Sequence, residues 1–132
     1  MPLKVWLNGT FDVLHLGHIK LIQRAVMLGG DNANIRIGVD TDERIRMAKG
    51  ENRPVNTLEH RMAFLHAIKG VDEVVSFGTD EELEQCIREY APDLMVIGDD
   101  YINKRIIGAE YIELIHYMER YGDLSTTKIV EH

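Results

Sequence analysis

His15 and His18 stand three residues apart in the stretch Asn8-Gly9-Thr10-Phe11-Asp12-Val13-Leu14-His15-Leu16-Gly17-His18. An apolar run, Leu3 to Leu7, precedes it, and a helical pattern with Leu14, Ile19, Leu21, Ile22, Ala25 and Met27 follows. The stretch therefore reads as a strand-to-helix turn, where an open α/β sheet holds a phosphate ligand. The free N–H groups and the positive end of the helix point at such a turn. Residues i and i+3 share a helix face, so both rings can address one ligand. Imidazoles donate hydrogen bonds and can carry positive charge near neutrality, which suits charge developing on a transferring phosphoryl group. Gly9 and Gly17 leave room for a phosphate or base to approach the backbone, and Thr10 adds a hydroxyl and an N–H. The bland reading is two surface histidines or a partial metal site. The spacing lacks the His-Glu-x-x-His pattern of zinc peptidases, and Cys86 is the only cysteine.

The elements that must position these groups follow from the rest of the chain. Its 132 residues fit one domain, 1–132, with a real core. The formal net charge of −7 argues against a generic nucleic-acid or anionic-membrane surface, but not against a nucleotide, which needs only a local cluster of cations. No apolar run is long enough to span a membrane. A single cysteine excludes an intrachain disulfide and suits a reducing cytoplasm. Leu3–Leu7, Ile35–Val39, Glu73–Phe77 and Leu94–Ile97 read as strands. The nearly continuous apolar character of the first suits a parallel strand covered on both faces. Ile112–Met118 reads as a fifth strand, with a helix as its close rival. Helices are expected up to Gly29-Gly30, from Asn56 or Thr57 to Gly70, and from Thr79 or Asp80 to Tyr90. In the last of these, Leu83, Ile87 and Tyr90 face inward. A short helix, Lys128 to Glu131, is expected at the end.

Arg44, Arg46, Lys49 and Arg53 crowd the segment after the second strand. Charge runs are usually a solvated face. This one follows a strand that should neighbour the first, so its long cations can reach a triphosphate on the first turn. Lys49, beside Gly50, is the favoured phosphate ligand and Arg46 the second. Arg61 is either a surface ion pair or a substrate contact. Asp99 and Asp100 follow the fourth strand at its ligand-bearing end, as a turn cap, as binders of substrate hydroxyls or as help for a metal. Ser125-Thr126-Thr127 reads as a helix cap whose hydroxyls and free N–H groups make a second anion site.

The string Gly-Thr-Phe-Asp-x-x-His-x-Gly-His resembles the nucleotide-binding signature of the cytidylyltransferase-like nucleotidyltransferases. Ser125-Thr126-Thr127-Lys128-Ile129 is similar to that family's Ser-Thr-Thr motif, and Arg120 falls five residues before Ser125, as in its glycerol-3-phosphate cytidylyltransferases. Gly98-Asp99-Asp100-Tyr101 resembles their Gly-Asp-Asp-Trp with tyrosine in place of tryptophan, and Glu59-His60-Arg61 and Val71-Asp72-Glu73-Val74 match as well. The acidic helix Asp80 to Glu84 lacks a lysine that would help hold glycerol phosphate. Lys49-Gly50, Arg53-Pro54-Val55-Asn56, Ser76-Phe77, Pro92-Asp93-Leu94 and Ile107-Gly108 look more like the domain that makes ADP-heptose in lipopolysaccharide synthesis.

The resemblance implies a doubly wound, Rossmann-like α/β domain with a five-stranded parallel sheet. It implies in-line attack by a substrate phosphate oxygen on the α-phosphorus of a nucleoside triphosphate, with pyrophosphate leaving. His15 and His18, with Lys49, would carry the catalysis. Gly9, Thr10, Phe11, Gly17, Arg120, Ser125, Thr126 and Thr127 would hold the nucleotide. Asp12, Arg61 and Asp100 are candidates for substrate or structural roles, and Arg46 is a candidate substrate contact. Magnesium would accompany the triphosphate, no protein metal site is expected, and the family is commonly homodimeric. The lead expectation is CTP with glycerol 3-phosphate or a similar polyol phosphate. The alternative is ATP with a sugar (heptose) 1-phosphate, and a reading from another class is a nucleotide-binding module without catalysis.

Overall fold

A computed structural model describes residues 2–119. Five strands, β1 (Lys4–Gly9), β2 (Asn34–Asp40), β3 (Glu73–Phe77), β4 (Leu94–Gly98) and β5 (Leu114–Met118), form one sheet in the order β3-β2-β1-β4-β5. All its pairings are parallel. Four helices connect them: α1 (Leu16–Gly29), α2 (Asp42–Lys49), α3 (Leu58–His66) and α4 (Asp80–Tyr90). The chain winds outward from β1 to β3 and then returns to place β4 on the other side of β1. That reversal opens a crevice at the C-terminal ends of β1 and β4, the place where such sheets bind ligands.

Alternation along the strands builds two cores. Val5 and Leu7 of β1 join Ile35, Ile37, Val74 and Val96 on the face covered by α1 and α3, where Ile22, Ala25 and Leu65 pack. Trp6 points the other way and meets Phe77, Leu83, Ile87 and Tyr90 beneath α4. Gly38 is required at its place in β2, because a Cβ there would stand 2.5 Å from the Trp6 ring. Tyr90 ties this layer down, its hydroxyl donating to the Asn34 carbonyl at 2.9 Å.

The expected strands are present: β3 has the expected bounds, and the others are lengthened or trimmed by a residue or two at their ends. The fifth segment is a strand, pairing Leu114 with Leu94, and it starts two residues after Ile112 because Ala109–Tyr111 forms a 3₁₀ turn. Thr57 and Thr79 cap α3 and α4, each side chain accepting a backbone N–H of the first turn. Helix α3 ends at His66, short of Gly70, and the chain continues as hydrogen-bonded turns (Ile68 N–H to Leu65, Val71 N–H to Ile68). The crowded cations fall mostly on a true helix, α2, capped by Thr41. Among the described residues no helix is long and apolar enough to cross a membrane. The last expected helix lies outside the described residues.

Candidate active site

His15 is the N-cap of α1, in extended backbone conformation, and its Nδ1 accepts the Gly17 N–H at 3.0 Å. His18, at the third helical position, answers with Nδ1 accepting the His15 N–H at 3.2 Å. The pair is a capping box made from two imidazoles. The rings stack with centroids 4.0 Å apart, and Phe11 packs on His18 at 5.3 Å. Because both Nδ1 atoms accept, the neutral rings carry their protons on Nε2. That leaves two Nε2–H donors on neighbouring rings. Phe11 has φ 48, a left-handed conformation rare outside glycine, where the chain leaves β1.

Gly17 has a reason other than ligand approach. A Cβ there would lie 2.7 Å from Cε1 of His15, so the missing side chain makes room for the catalytic candidate's own ring. Burial lowers the His18 pKa from 6.5 to about 4, with smaller contributions from the charges of His15 and Lys49. The expectation that this ring carries positive charge near neutrality is therefore corrected: in the ligand-free protein His18 is neutral. Among the described residues no group of three His, Cys, Asp or Glu side chains could hold a metal ion.

Of the candidates for substrate or structural roles, Asp12 and Arg61 make structural hydrogen bonds. Asp12 is almost fully buried, and its carboxylate accepts the N–H groups of Val55 and Asn56, each at 2.9 Å. Arg61 is fully buried, so its ion pair is not one between two surface side chains. Its guanidinium donates to the carbonyls of Thr10 (2.9 Å), Asp40 (2.7 Å) and Asn56 (3.0 Å) and to the Asp42 carboxylate at 2.7 Å. One cation thus joins the ends of β1 and β2 to the starts of α2 and α3. Its spacing in the sequence gave no sign of this, because long-range carbonyl partners leave no pattern.

Beside this clamp a cavity of about 450 Å³ opens along the C-terminal sheet edge. Gly9, Thr10 and Asp40 line it from the strand ends, and Arg44 and Lys49 from α2. Phe77, Leu83, Met95 and Ile97 form an apolar floor, and the segment after β4 adds Tyr101, Arg105, Ile106 and Ile107. Lys49, the favoured phosphate ligand, lines the cavity. Arg46, the second, is exposed and does not line it; Arg44, five residues before Lys49, does. Asp100 is also exposed on the 3₁₀ turn Asp99–Tyr101 and leaves the lining to Tyr101. Arg44 lies over the Phe77 ring and pairs with Asp80 at 2.8 Å. Burial raises the Asp40 pKa against the opposing pull of Arg44, Arg61 and Lys49. Asp40 and Arg105 are charged lining residues that the sequence reading did not single out as candidates, and Arg44 was named only among the crowded cations. The position of Asp40, directly after a strand predicted to neighbour the first, was the available signal. Arg120, Ser125, Thr126 and Thr127 lie outside the described residues.

A profile of the cytidylyltransferase-like family matches residues 6–132. The chain belongs to that family. It is a nucleotidyltransferase-like domain, as its motif implied. It is 40% identical over 127 residues to the bifunctional protein HldE of Helicobacter hepaticus and 39% identical over 131 residues to that of Alcanivorax borkumensis. Each match covers 96% of the chain but only 26% and 27% of the relative, so the chain spans about a quarter of the length of these curated relatives. Among solved structures, a lipopolysaccharide core biosynthesis protein from Thermoplasma volcanium superposes with a TM-score of 0.70 at 23% identity, covering 90% of this chain and 98% of that one. A protein of unknown function from Archaeoglobus fulgidus gives 0.58 at 27%, covering 91% and 99%. These likenesses agree with the doubly wound fold.

Proposed function

We propose that this domain transfers an adenylyl group from ATP to a sugar 1-phosphate of the heptose class, releasing pyrophosphate. The observation that carries the choice of acceptor is the cavity beside Thr10, about 450 Å³ with an apolar floor. A sugar ring offers a C–H face to such a floor and fills the space, whereas glycerol phosphate is small and polar throughout. The relatives point the same way: they fall on the sugar-phosphate side of the resemblance rather than on the polyol side. The motif Glu59-His60-Arg61 does not count for CTP, since Arg61 is buried scaffold.

In this reading the acceptor phosphate attacks the α-phosphorus in line from the cavity side. The Nε2–H groups of His15 and His18 donate to the oxygens that gain charge as pyrophosphate leaves. Lys49 spans the two ligands with its ammonium group. No side chain becomes a covalent nucleophile. Asp40, the carboxylate lining the cavity, fits a magnesium ion delivered on the triphosphate, whose phosphate oxygens would supply most of its ligands. Magnesium would neutralise triphosphate charge. A homodimer working in the cytoplasm belongs to the same proposal.

The test is pyrophosphate release with magnesium across ATP, CTP, UTP and GTP against a heptose 1-phosphate, glycerol 3-phosphate, phosphocholine and phosphoethanolamine. Turnover is expected with ATP and the heptose phosphate. Turnover confined to CTP and glycerol 3-phosphate would overturn the choice of substrates, and nucleotide binding with silence across the grid would favour a module that only binds.

A further inference from the structure

The segment after β4 does two things at once. Arg105 brings a third cation to the cavity beside Arg44 and Lys49, and Ile106 and Ile107 supply the apolar wall facing Phe77 and Leu83. Arg44 is held by Asp80, but neither Lys49 nor Arg105 makes a hydrogen bond or ion pair among the described residues. Three cations around one carboxylate leave a positive balance that suits a dianionic phosphate ester. The segment is a built part of the fold. It opens with the 3₁₀ turn Asp99–Tyr101, continues with the Lys104 N–H donating to Tyr101, and closes with the Tyr111 N–H donating to Gly108. Gly108 sits at φ +85, and a Cβ there would lie 2.9 Å from the Ile87 side chain. Only glycine lets the chain turn so tightly against α4 and bring Ile106 and Ile107 back over the cavity. Ile107-Gly108 is also one of the motifs that separate the two branches of the resemblance, and nothing in the transfer chemistry itself calls for it.

We infer that Arg105, Ile106 and Ile107 select the acceptor: Arg105 binds its phosphate, and the two isoleucines hold the C–H face of its sugar ring. This inference rests on the nucleotidyl-transfer reading above. It separates recognition of the acceptor from recognition of the nucleotide, which is expected at the His15–His18 turn.

The experiment is initial-rate kinetics on the full chain with Arg105→Gln, Arg105→Lys and Lys104→Gln, varying ATP and a heptose 1-phosphate separately. Arg105 is exposed, so its replacement should leave the fold intact. Arg105→Gln should raise the KM for the sugar phosphate at least about tenfold while the KM for ATP stays within about twofold, the size of one lost charge-assisted contact. Arg105→Lys should recover part of that loss. Lys104→Gln removes a neighbouring cation that lies over the Tyr101 ring and does not line the cavity, and should change neither KM. An unchanged acceptor KM in Arg105→Gln, or a rise in the ATP KM instead, would overturn the inference and leave nucleotidyl transfer standing. Absence of turnover in the unmodified chain would instead count against the transfer reading. Calorimetric titration with the heptose 1-phosphate then decides the inference by itself. Binding lost only in Arg105→Gln supports it; equal binding in both proteins, or none in either, overturns it.

Discussion

At the scale of single residues, the two imidazoles serve the fold and the proposed chemistry through different atoms. Each Nδ1 is spent on the helix cap, and each neutral ring carries its proton on Nε2, the atom assigned to the chemistry in the proposed reaction. Nuclear magnetic resonance titration of the ligand-free protein should find His18 protonating near pH 4, and at higher pH once a triphosphate adds negative charge beside it. The sign for stability follows. Between about 4 and 6.5 the unfolded chain binds a proton that folded His18 refuses, so this ring's contribution is present above 6.5 and lost as pH falls toward 4. Asp40 acts in the opposite sense: its raised pKa gives a contribution present below 3.8 and lost as pH rises through the folded value. Thermal midpoints measured against pH for the unmodified chain and for His18→Asn isolate the histidine, because Asn keeps an acceptor for the cap and Asp40 is common to both. The difference between their slopes should vanish above about pH 7. His18→Ala should lower turnover by about 10²–10³, the cost of one preorganised donor to a developing oxyanion, read by pyrophosphate release. The positions of these histidines were legible in the sequence. Their charge state was not, because it is set by burial.

At the scale of elements, much of the architecture was readable. Apolar runs gave the strands, and Thr57 and Thr79, each one of two residues weighed, cap α3 and α4, whereas the Thr41 cap of α2 was not read. What stayed hidden were the joints between elements. Arg61 and Asp12 look like surface charges in the sequence, yet both are buried with their hydrogen bonds made to loops more than forty residues away as well as nearby. Arg61→Met should cost about 3 kcal/mol or more, since it leaves three carbonyls and a carboxylate without their donor. Asp42→Asn should cost much less, as its partner keeps three other acceptors and Asp42 itself reaches the surface. Urea unfolding of the two variants checks the ranking; equal costs would mean that the clamp is an ordinary ion pair.

At the scale of the molecule, an acidic chain gathers cations where polyanions are proposed to bind. The net charge is −7, but Arg44, Lys49 and Arg105 ring one cavity at the C-terminal sheet edge. Such a local field works against the whole-molecule field, so its reach should depend on salt. Between about 0.01 M and 0.15 M salt the Debye length falls from about 30 to 8 Å, which screens the distant acidic surface more than groups in contact with a ligand. The KM for a phosphorylated acceptor should therefore change little, or even fall, over this range. It should rise only at much higher salt, where the three cations are themselves screened. Kinetics in a series of sodium chloride concentrations would test this; a steep rise beginning at low salt would mean that long-range attraction, not contact, brings the acceptor in.

The paired use of His15 and His18 also bears on how this protein would respond to selection. Helix α1 depends on their Nδ1 atoms for its first turn, and Gly17 is shaped to the His15 ring. A library screened for heat resistance alone, with no substrate present, should keep a hydrogen-bond acceptor at both positions but not the imidazoles, since Asn, Asp, Ser and Thr cap helices as well. Gly17 would be kept only where the His15 ring is kept. A lineage held to endurance alone would let these letters drift to other capping residues, and one that still displays both rings with the glycine between them would be one still held to its reaction.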